Sequence, residues 1–280
     1  MELGTYGVFR RWSALTPELA AGIERLGYGT IWIGGSPAGD LAEIEKVLAA
    51  TRTVTVATGI VNIWKDAAAP VAGSWHRLEE RYPGRFLLGI GVGHPESFTQ
   101  YAKPYDAVVA YLDALDDAGV PAHRRVLAAL GPRMLRLSAA RSAGAHPYLV
   151  TPEHSRRARE ILGPGVLLAP EQRVVLEPDP ARAREIGRPT VQKPYLGLTN
   201  YRNNLLTLGF TANDLGDGGS DRLIDQLVVS GDPTRAAAGL AEHIEAGADH
   251  VAVQLLTPEG IDPLLGLAEL AEVLGLTAAG

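Results

Sequence analysis

The feature that most constrains this chain is an alternation. Short, β-branched apolar runs trade places with helical-period segments from one end to the other, and helix starts are marked by a capping residue followed at once by proline. Apolar runs of this kind between turn signals read as strands buried on both faces, and parallel strands need a crossover helix between them. The cap-and-proline pairs are Thr16-Pro17, Thr151-Pro152, Asp179-Pro180, Asp232-Pro233 and Asp262-Pro263. In each, a side-chain oxygen accepts from free N–H groups of the first turn, and proline at the first helical position gives up an N–H that had no partner. The runs predict strands at Leu3 to Phe9, Thr30 to Ile33, Val54 to Val61, Phe86 to Gly91, Val126 to Leu130, Ala145 to Val150, Val174 to Glu177 and His250 to Leu255. Eight β/α units in 280 residues predict an α/β TIM (β/α)8 barrel, one domain over 1–280, rather than an open Rossmann sheet. Pro147 cannot donate to a ladder, so strand six is expected to be short or bulged.

Roughly seventy residues separate strands seven and eight, far more than one helix needs. This predicts an insertion at about 179–230, with Gly216-Asp217-Gly218-Gly219-Ser220 as a flexible hinge. Insertions on this side of a barrel lie over the ligand-binding end, so the segment reads as a candidate lid, or equally as a surface or dimer-contact excursion.

Composition removes several classes of function. The chain has no cysteine, which excludes disulfides, thiolate metal centres and thiol catalysis. A net charge of -6 with mixed signs argues against nucleic acid as a partner. No apolar run reaches the roughly 18 residues of a membrane span, and the start lacks a signal-peptide pattern, so a cytoplasmic, soluble protein without a membrane partner is expected. No histidine and carboxylate set has metal-ligand spacing, and no metal is expected.

In a barrel the chemistry sits where strands end. Here those ends are glycine-rich, aromatic and basic: Phe9-Arg10-Arg11-Trp12, Gly34-Gly35-Ser36, Asn62-Ile63-Trp64-Lys65, Gly91-Val92-Gly93-His94 and Gly131-Pro132-Arg133-Met134. Such a mouth suits a flat aromatic ligand with an anionic tail. Gly89, Gly91 and Gly93 lack the helix-opening third glycine of a dinucleotide fingerprint, with Pro95 following at once. They read instead as backbone that a ring can approach closely, or as ordinary packing glycines. Gly131 to Met134 place a helix N-terminus and a cation after strand five, an arrangement that favours phosphate. His94 is the mouth histidine suited to acid/base work, although a loop histidine is more often simply solvated. Trp12 and Trp64 are candidate pocket walls. His154 is expected to interact with its own helix terminus, and His243 and His250 to face solvent or packing.

Four segments in order, Thr58-Gly59-Ile60-Val61-Asn62-Ile63-Trp64, Leu88 to His94, Ala129 to Leu135 and Ala246 to Val251, resemble the luciferase-like monooxygenase superfamily, and more narrowly its actinobacterial branch of oxidoreductases dependent on the deazaflavin coenzyme F420. The likeness covers essentially the whole chain. It implies a reduced deazaflavin or flavin in the barrel mouth, and a non-prolyl cis peptide carried onto Gly59–Ile60 behind the ring. It further implies Asn62 at the ring edge, Gly91 and Gly93 along it, and Gly131, Pro132, Arg133 and Met134 at the phosphate. Relatives that oxidise sugar phosphates or alcohols often carry an acidic residue and a histidine after strand two, where this chain has Gly34-Gly35-Ser36. Some carry glutamate where it has His94.

The leading expectation is therefore an F420-dependent oxidoreductase passing a hydride between deazaflavin C5 and a small organic substrate. His94 would be the proton partner, and Trp12, Trp64, Tyr201 and Arg202 would shape the pocket. The alternatives are an FMN-dependent luciferase-like monooxygenase and a coenzyme-binding barrel without turnover. Family habit makes a homodimer the assembly to look for.

Overall fold

The computed structural model describes residues 2–93 and 103–277. Strands β1 (Tyr6–Arg11), β2 (Thr30–Gly34), β3 (Thr55–Gly59), β4 (Val61–Asn62), β5 (Phe86–Gly91), β6 (Arg125–Leu127), β7 (Gly144–Ala145), β8 (Leu167–Leu168), β9 (Glu171–Val175), β10 (Val228–Ser230) and β11 (Val251–Leu255) form one parallel sheet. Its order runs β10-β9-β11-β1-β2-β3-β5-β6-β7-β8, with β4 also on β5. Two pairs of these segments are halves of single barrel strands. β3 and β4 are interrupted at Ile60, and β8 and β9 at Ala169-Pro170. The second pair closes the ring: β8 pairs with β7, β9 pairs with β11, and Ala252 N–H donates to the Pro170 carbonyl at 2.9 Å. The result is a (β/α)8 barrel whose β8–β9 strand also carries β10 on its outer part.

Helices α1 (Pro17–Arg25), α2 (Ala42–Ala50), α3 (Ala68–Arg81), α4 (Pro104–Asp117), α5 (Pro132–Arg141), α6 (Pro152–Leu162), α10 (Pro233–Glu245) and α11 (Pro263–Val273) surround the sheet. Their starts follow from the sequence. Thr16, Thr151, Asp179, Asp232 and Asp262 each cap a helix that opens with proline, and each side chain accepts a first-turn N–H. Apolar stripes then settle the packing, as with Leu19, Ala20 and Ile23 of α1 buried beneath the outer wall.

Strand seven differs from its sequence reading. It occupies β8 and β9, from Leu167 to Val175, rather than Val174 to Glu177. Glu171, Gln172 and Arg173 broke the apolar run, yet all three are buried. Strand five is Arg125–Leu127 and strand six only Gly144–Ala145, the shortening that Pro147 anticipates. Between β9 and α10 lie α7 (Pro180–Gln192), α8 (Thr199–Thr207), α9 (Asp221–Leu227) and β10, packed around their own apolar cluster, which includes Leu196, Tyr201, Leu205 and Leu223. The glycine run in this segment is not a free hinge. Asp214 accepts from Thr211 N–H at 2.8 Å, Ser220 Oγ at 2.7 Å and Arg222 Nη1 at 3.0 Å, and Ser220 caps α9. The Thr211 and Ser220 donors hold the Asp214 carboxyl down at about 2.

His243 and His250 are packing groups. His250 accepts from Trp32 Nε1 at 2.9 Å and donates from Nδ1 to the Gly4 carbonyl at 2.7 Å. His243 lies between Ser155 Oγ at 2.8 Å and Gln172 Oε1 at 2.7 Å. Burial pushes their pKa down, to about 3 for His243 and about 4 for His250. A chain unfolded at acid pH binds protons that these native imidazoles refuse, so stability is lost as pH falls from about 6.5 towards 4. Urea unfolding between pH 7.5 and 4.5 should show that decline, and His250→Asn should flatten part of it; a pH-independent unfolding free energy would contradict the assignment.

Candidate functional site

The barrel mouth opens into a cavity of about 910 Å³, large enough for a multi-ring ligand. Its floor begins where β3 breaks. Val56 and Ala57 pair with Phe86 and Leu87, and pairing resumes only at Val61 with Ile90. The gap would leave Gly89 without ladder partners, and the Thr58 hydroxyl replaces them. Its Oγ1 accepts from Gly89 N–H at 2.8 Å and donates to the Gly89 carbonyl at 2.8 Å. Residue 89 must be glycine here, because a Cβ would sit 1.8 Å from the Thr58 carbonyl oxygen. Freed from β5, while Gly59 still pairs with Gly34 of β2, Gly59 and Ile60 face the cavity, and the peptide bond between them is cis, as the resemblance implied.

Beneath Gly59 lies His146, a residue the sequence reading passed over. It follows β7 and is 2% exposed. Its Nδ1 is 2.6 Å from the Ala169 carbonyl, which can only accept, so the proton sits on Nδ1 and Nε2 keeps its lone pair. Nε2 is buried and takes no hydrogen bond among the described residues, and a Cβ on Gly59 would approach it to 3.2 Å. The ring stacks on Trp32, with centroids 4.0 Å apart and planes at 10°. Burial pushes its pKa down to about 4, so the imidazole is neutral at physiological pH.

A second wall, joined to the floor through Phe9, is polar. Arg173 is 2% exposed, donates from Nη1 to the Thr190 carbonyl at 2.8 Å and from Nη2 to the Tyr148 hydroxyl at 3.1 Å. Tyr148 in turn donates to Gln254 Oε1 at 2.8 Å. Glu171 stands behind this group, with Oε1 at 3.8 Å from Arg173 Nε and Oε2 accepting from Leu149 N–H at 2.9 Å. Burial outweighs the Arg173 charge and pushes the Glu171 carboxyl up to about 7. None of these four residues was legible as a site residue; the one available signal was the set of three consecutive polar residues inside a barrel strand.

Arg11, Lys65 and Lys193, all exposed, complete the rim, and none pairs with a carboxylate among the described residues. No aspartate or glutamate is found among the described lining residues. A floor opened at Gly59, a cationic rim and an open helix start at Gly131, where a Cβ would meet nothing within 4 Å, fit a planar ligand with an anionic tail.

Of the residues singled out in the sequence, Gly59, Ile60, Asn62, Gly93, Gly131, Met134 and Tyr201 line the cavity together. Asn62 Oδ1 is already occupied by Trp64 N–H at 2.9 Å, which leaves its amide Nδ2 as the group to offer a ring edge. The other choices fall elsewhere. Gly91 is closed in by Ala128 and Ile60, and Pro132 and Arg133 lie outside the lining, the Arg133 guanidinium resting 4.3 Å from the centre of the Tyr105 ring. Trp12 is 41% exposed and bonds the Gly35 carbonyl, Trp64 is half-buried off the lining, and Arg202 donates to the Leu196 carbonyl. His94 lies outside the described residues. His154, expected at its own helix terminus, reaches the Leu130 carbonyl at 3.0 Å instead.

The fold is a (β/α)8 barrel, and part of the chain matches one family of such barrels. Residues 14–118 match the family model described as luciferase-like monooxygenase. No curated protein matches the chain. Among solved structures, an F420-dependent secondary alcohol dehydrogenase in complex with an F420-acetone adduct superposes with a TM-score of 0.75 at 15% identity, covering 100% of both chains. The coenzyme F420 dependent tetrahydromethanopterin reductase of Methanopyrus kandleri gives 0.71 at 14% identity, covering 96% of this chain and 98% of its own. The FMN-bound oxygenating constituent of 3,6-diketocamphane monooxygenase from Pseudomonas putida gives 0.72 at 14% identity, covering 98% and 99%.

Thr58→Val should cost about 2–4 kcal/mol in urea unfolding, because it strips two buried backbone groups of their partner, whereas Thr58→Ser should stay near wild type. Equal stability of the two variants would remove the hydroxyl from its bridging role.

Proposed function

We propose that the chain is an oxidoreductase that uses coenzyme F420 to exchange a hydride with a small organic substrate. The observation carrying this reading is the charge pattern of the cavity. Three exposed cations that pair with no carboxylate among the described residues, Arg11, Lys65 and Lys193, line a mouth that belongs to a chain of net charge -6. F420 carries a phosphodiester and a glutamate tail, several negative charges in all, whereas FMN carries one phosphate. A rim of separated cations is worth more to the longer polyanion. The resemblance to F420-using relatives supports the same choice. An FMN-dependent monooxygenase is the second reading, favoured by the family match and by the FMN-bound neighbour.

When bound, the deazaflavin would supply a carbon centre that gives or takes two electrons as hydride. The chain's own residues do the rest. Gly59, Ile60 and Gly93 present backbone against which a ring lies, and Asn62 Nδ2 offers a donor at its edge. Gly131 and Met134, at the start of α5, offer amides to a phosphate. Phe9 and the tyrosines of the far wall keep water from the reacting face. His94, the residue after Gly93, is the proposed proton partner.

Titrating the purified chain with F420 and with FMN, following fluorescence quenching at low and high salt, tests the reading. F420 is expected to bind more tightly and to lose more affinity with salt, and a Lys65→Ala, Lys193→Ala double variant is expected to weaken F420 about tenfold or more while changing FMN little. Tight FMN binding without any response to F420 would reverse the assignment.

A further inference from the structure

The far wall of the cavity holds an oriented donor whose purpose the cofactor reading leaves open. Arg173 on β9 and Gln254 on β11 face each other in register across adjacent parallel strands. Tyr148, just beyond β7, sits between their side chains. Its oxygen accepts from Arg173 Nη2 at 3.1 Å, and its single hydrogen goes to Gln254 Oε1 at 2.8 Å. That sequence of donors fixes the amide. Oε1 is turned to the tyrosine, so the NH₂ group must point the other way, and it donates no hydrogen bond among the described residues although Gln254 lines the cavity. A guanidinium at the head of a hydrogen-bonded chain polarises each later member, so the last N–H is a stronger donor than a lone amide. The cation is held firmly from behind, by the Thr190 carbonyl at 2.8 Å and by Glu171 at 3.8 Å.

The shape around this donor is as specific as its charge. Tyr148 and Tyr195 lie with centroids 5.5 Å apart, and Tyr195 and Tyr201 4.9 Å apart, and all three line the cavity. Phe9 stands 5.2 Å from Tyr148. At these spacings the rings brace one another, and the aromatic surface they turn to the cavity favours flat, conjugated guests. No carboxylate among the described lining residues competes for the donor.

We propose that Gln254 Nε2 is the hydrogen-bond donor that fixes the oxygen of a conjugated or aromatic carbonyl substrate in the tyrosine-walled half of the cavity. Tyr148 and Arg173 are the positioning residues that orient and polarise it. The proposal deepens the oxidoreductase reading by naming the substrate class, and it rests on that reading for the chemistry that follows binding. Only binding is claimed for these three residues.

The test uses two probes of one shape, 2-naphthaldehyde and 2-ethylnaphthalene, titrated calorimetrically into the full cofactor-free chain. Wild type is expected to prefer the aldehyde by about tenfold or more, the effect of one good hydrogen bond. Gln254→Met, close in size but without a donor, should erase the preference while leaving affinity for 2-ethylnaphthalene unchanged. Gln254→Glu should abolish it as well, which covers the case of a poorly folding methionine variant. Tyr148→Phe, which frees the amide to rotate, should reduce the preference although Gln254 is intact. Equal affinity of wild type for the two probes, or an undiminished preference in both Gln254 variants, would overturn the proposal. Because these titrations need no cofactor, their failure is distinct from a failure of F420 and FMN to bind.

Discussion

A single hydroxyl holds the site open. Where β3 leaves its neighbour, Thr58 Oγ1 serves Gly89 as both acceptor and donor, two roles that a continuous ladder would have given to main chain. Buried peptide groups without partners are expensive, so a strand cannot simply let go of the sheet in the middle of a barrel. With the hydroxyl in place, Gly59 and Ile60 part from β5 to form the cavity floor, and β4 rejoins β5 at Val61. The close approach that allows this explains Gly89, and the space above Phe9 and His146 explains Gly59. Three residues spread over two strands are thus fixed by one local substitution of side chain for backbone.

Charge is arranged in two tiers around that floor. Outside, exposed cations with no acidic partners among the described residues face water, where they attract anions at a distance but contribute little to stability. Inside, Arg173 is immobilised by the Thr190 carbonyl, the Tyr148 hydroxyl and Glu171, and its guanidinium lies 5.4 and 5.0 Å from the centres of the Tyr148 and Tyr195 rings, which attract it. Neutral His146 completes the interior. Long-range attraction and short-range recognition are assigned to different groups.

The sequence announced the barrel because its strands are buried on both faces and its helices begin with paired cap and proline signals. Asp232-Pro233 and Asp262-Pro263 locate α10 and α11 to the residue. Reading failed where function displaced apolar side chains. Glu171, Gln172 and Arg173 hid a strand, and with it the polar wall, because their partners, Tyr148, Thr190 and Gln254, lie on other elements and only folding brings them together. Glycines were read from their type, yet type does not say whether the missing Cβ faces open space, as at Gly131, or a neighbouring side chain, as at Gly91. Likewise the run from Gly216 to Ser220 looked loose, but Asp214 several residues before the cap of α9 gathers it. His146, with an ordinary proline and tyrosine beside it, carried no local mark at all.

β10 gives the inserted segment an unusual attachment. The chain departs from the end of β9, builds α7, α8 and α9, and comes back as β10 alongside the very strand it left, with Val228 opposite Arg173. Both seams of the excursion therefore lie at β9. Such a piece is attached like a cassette: its length and sequence can change while the order of the eight barrel strands stays as it is.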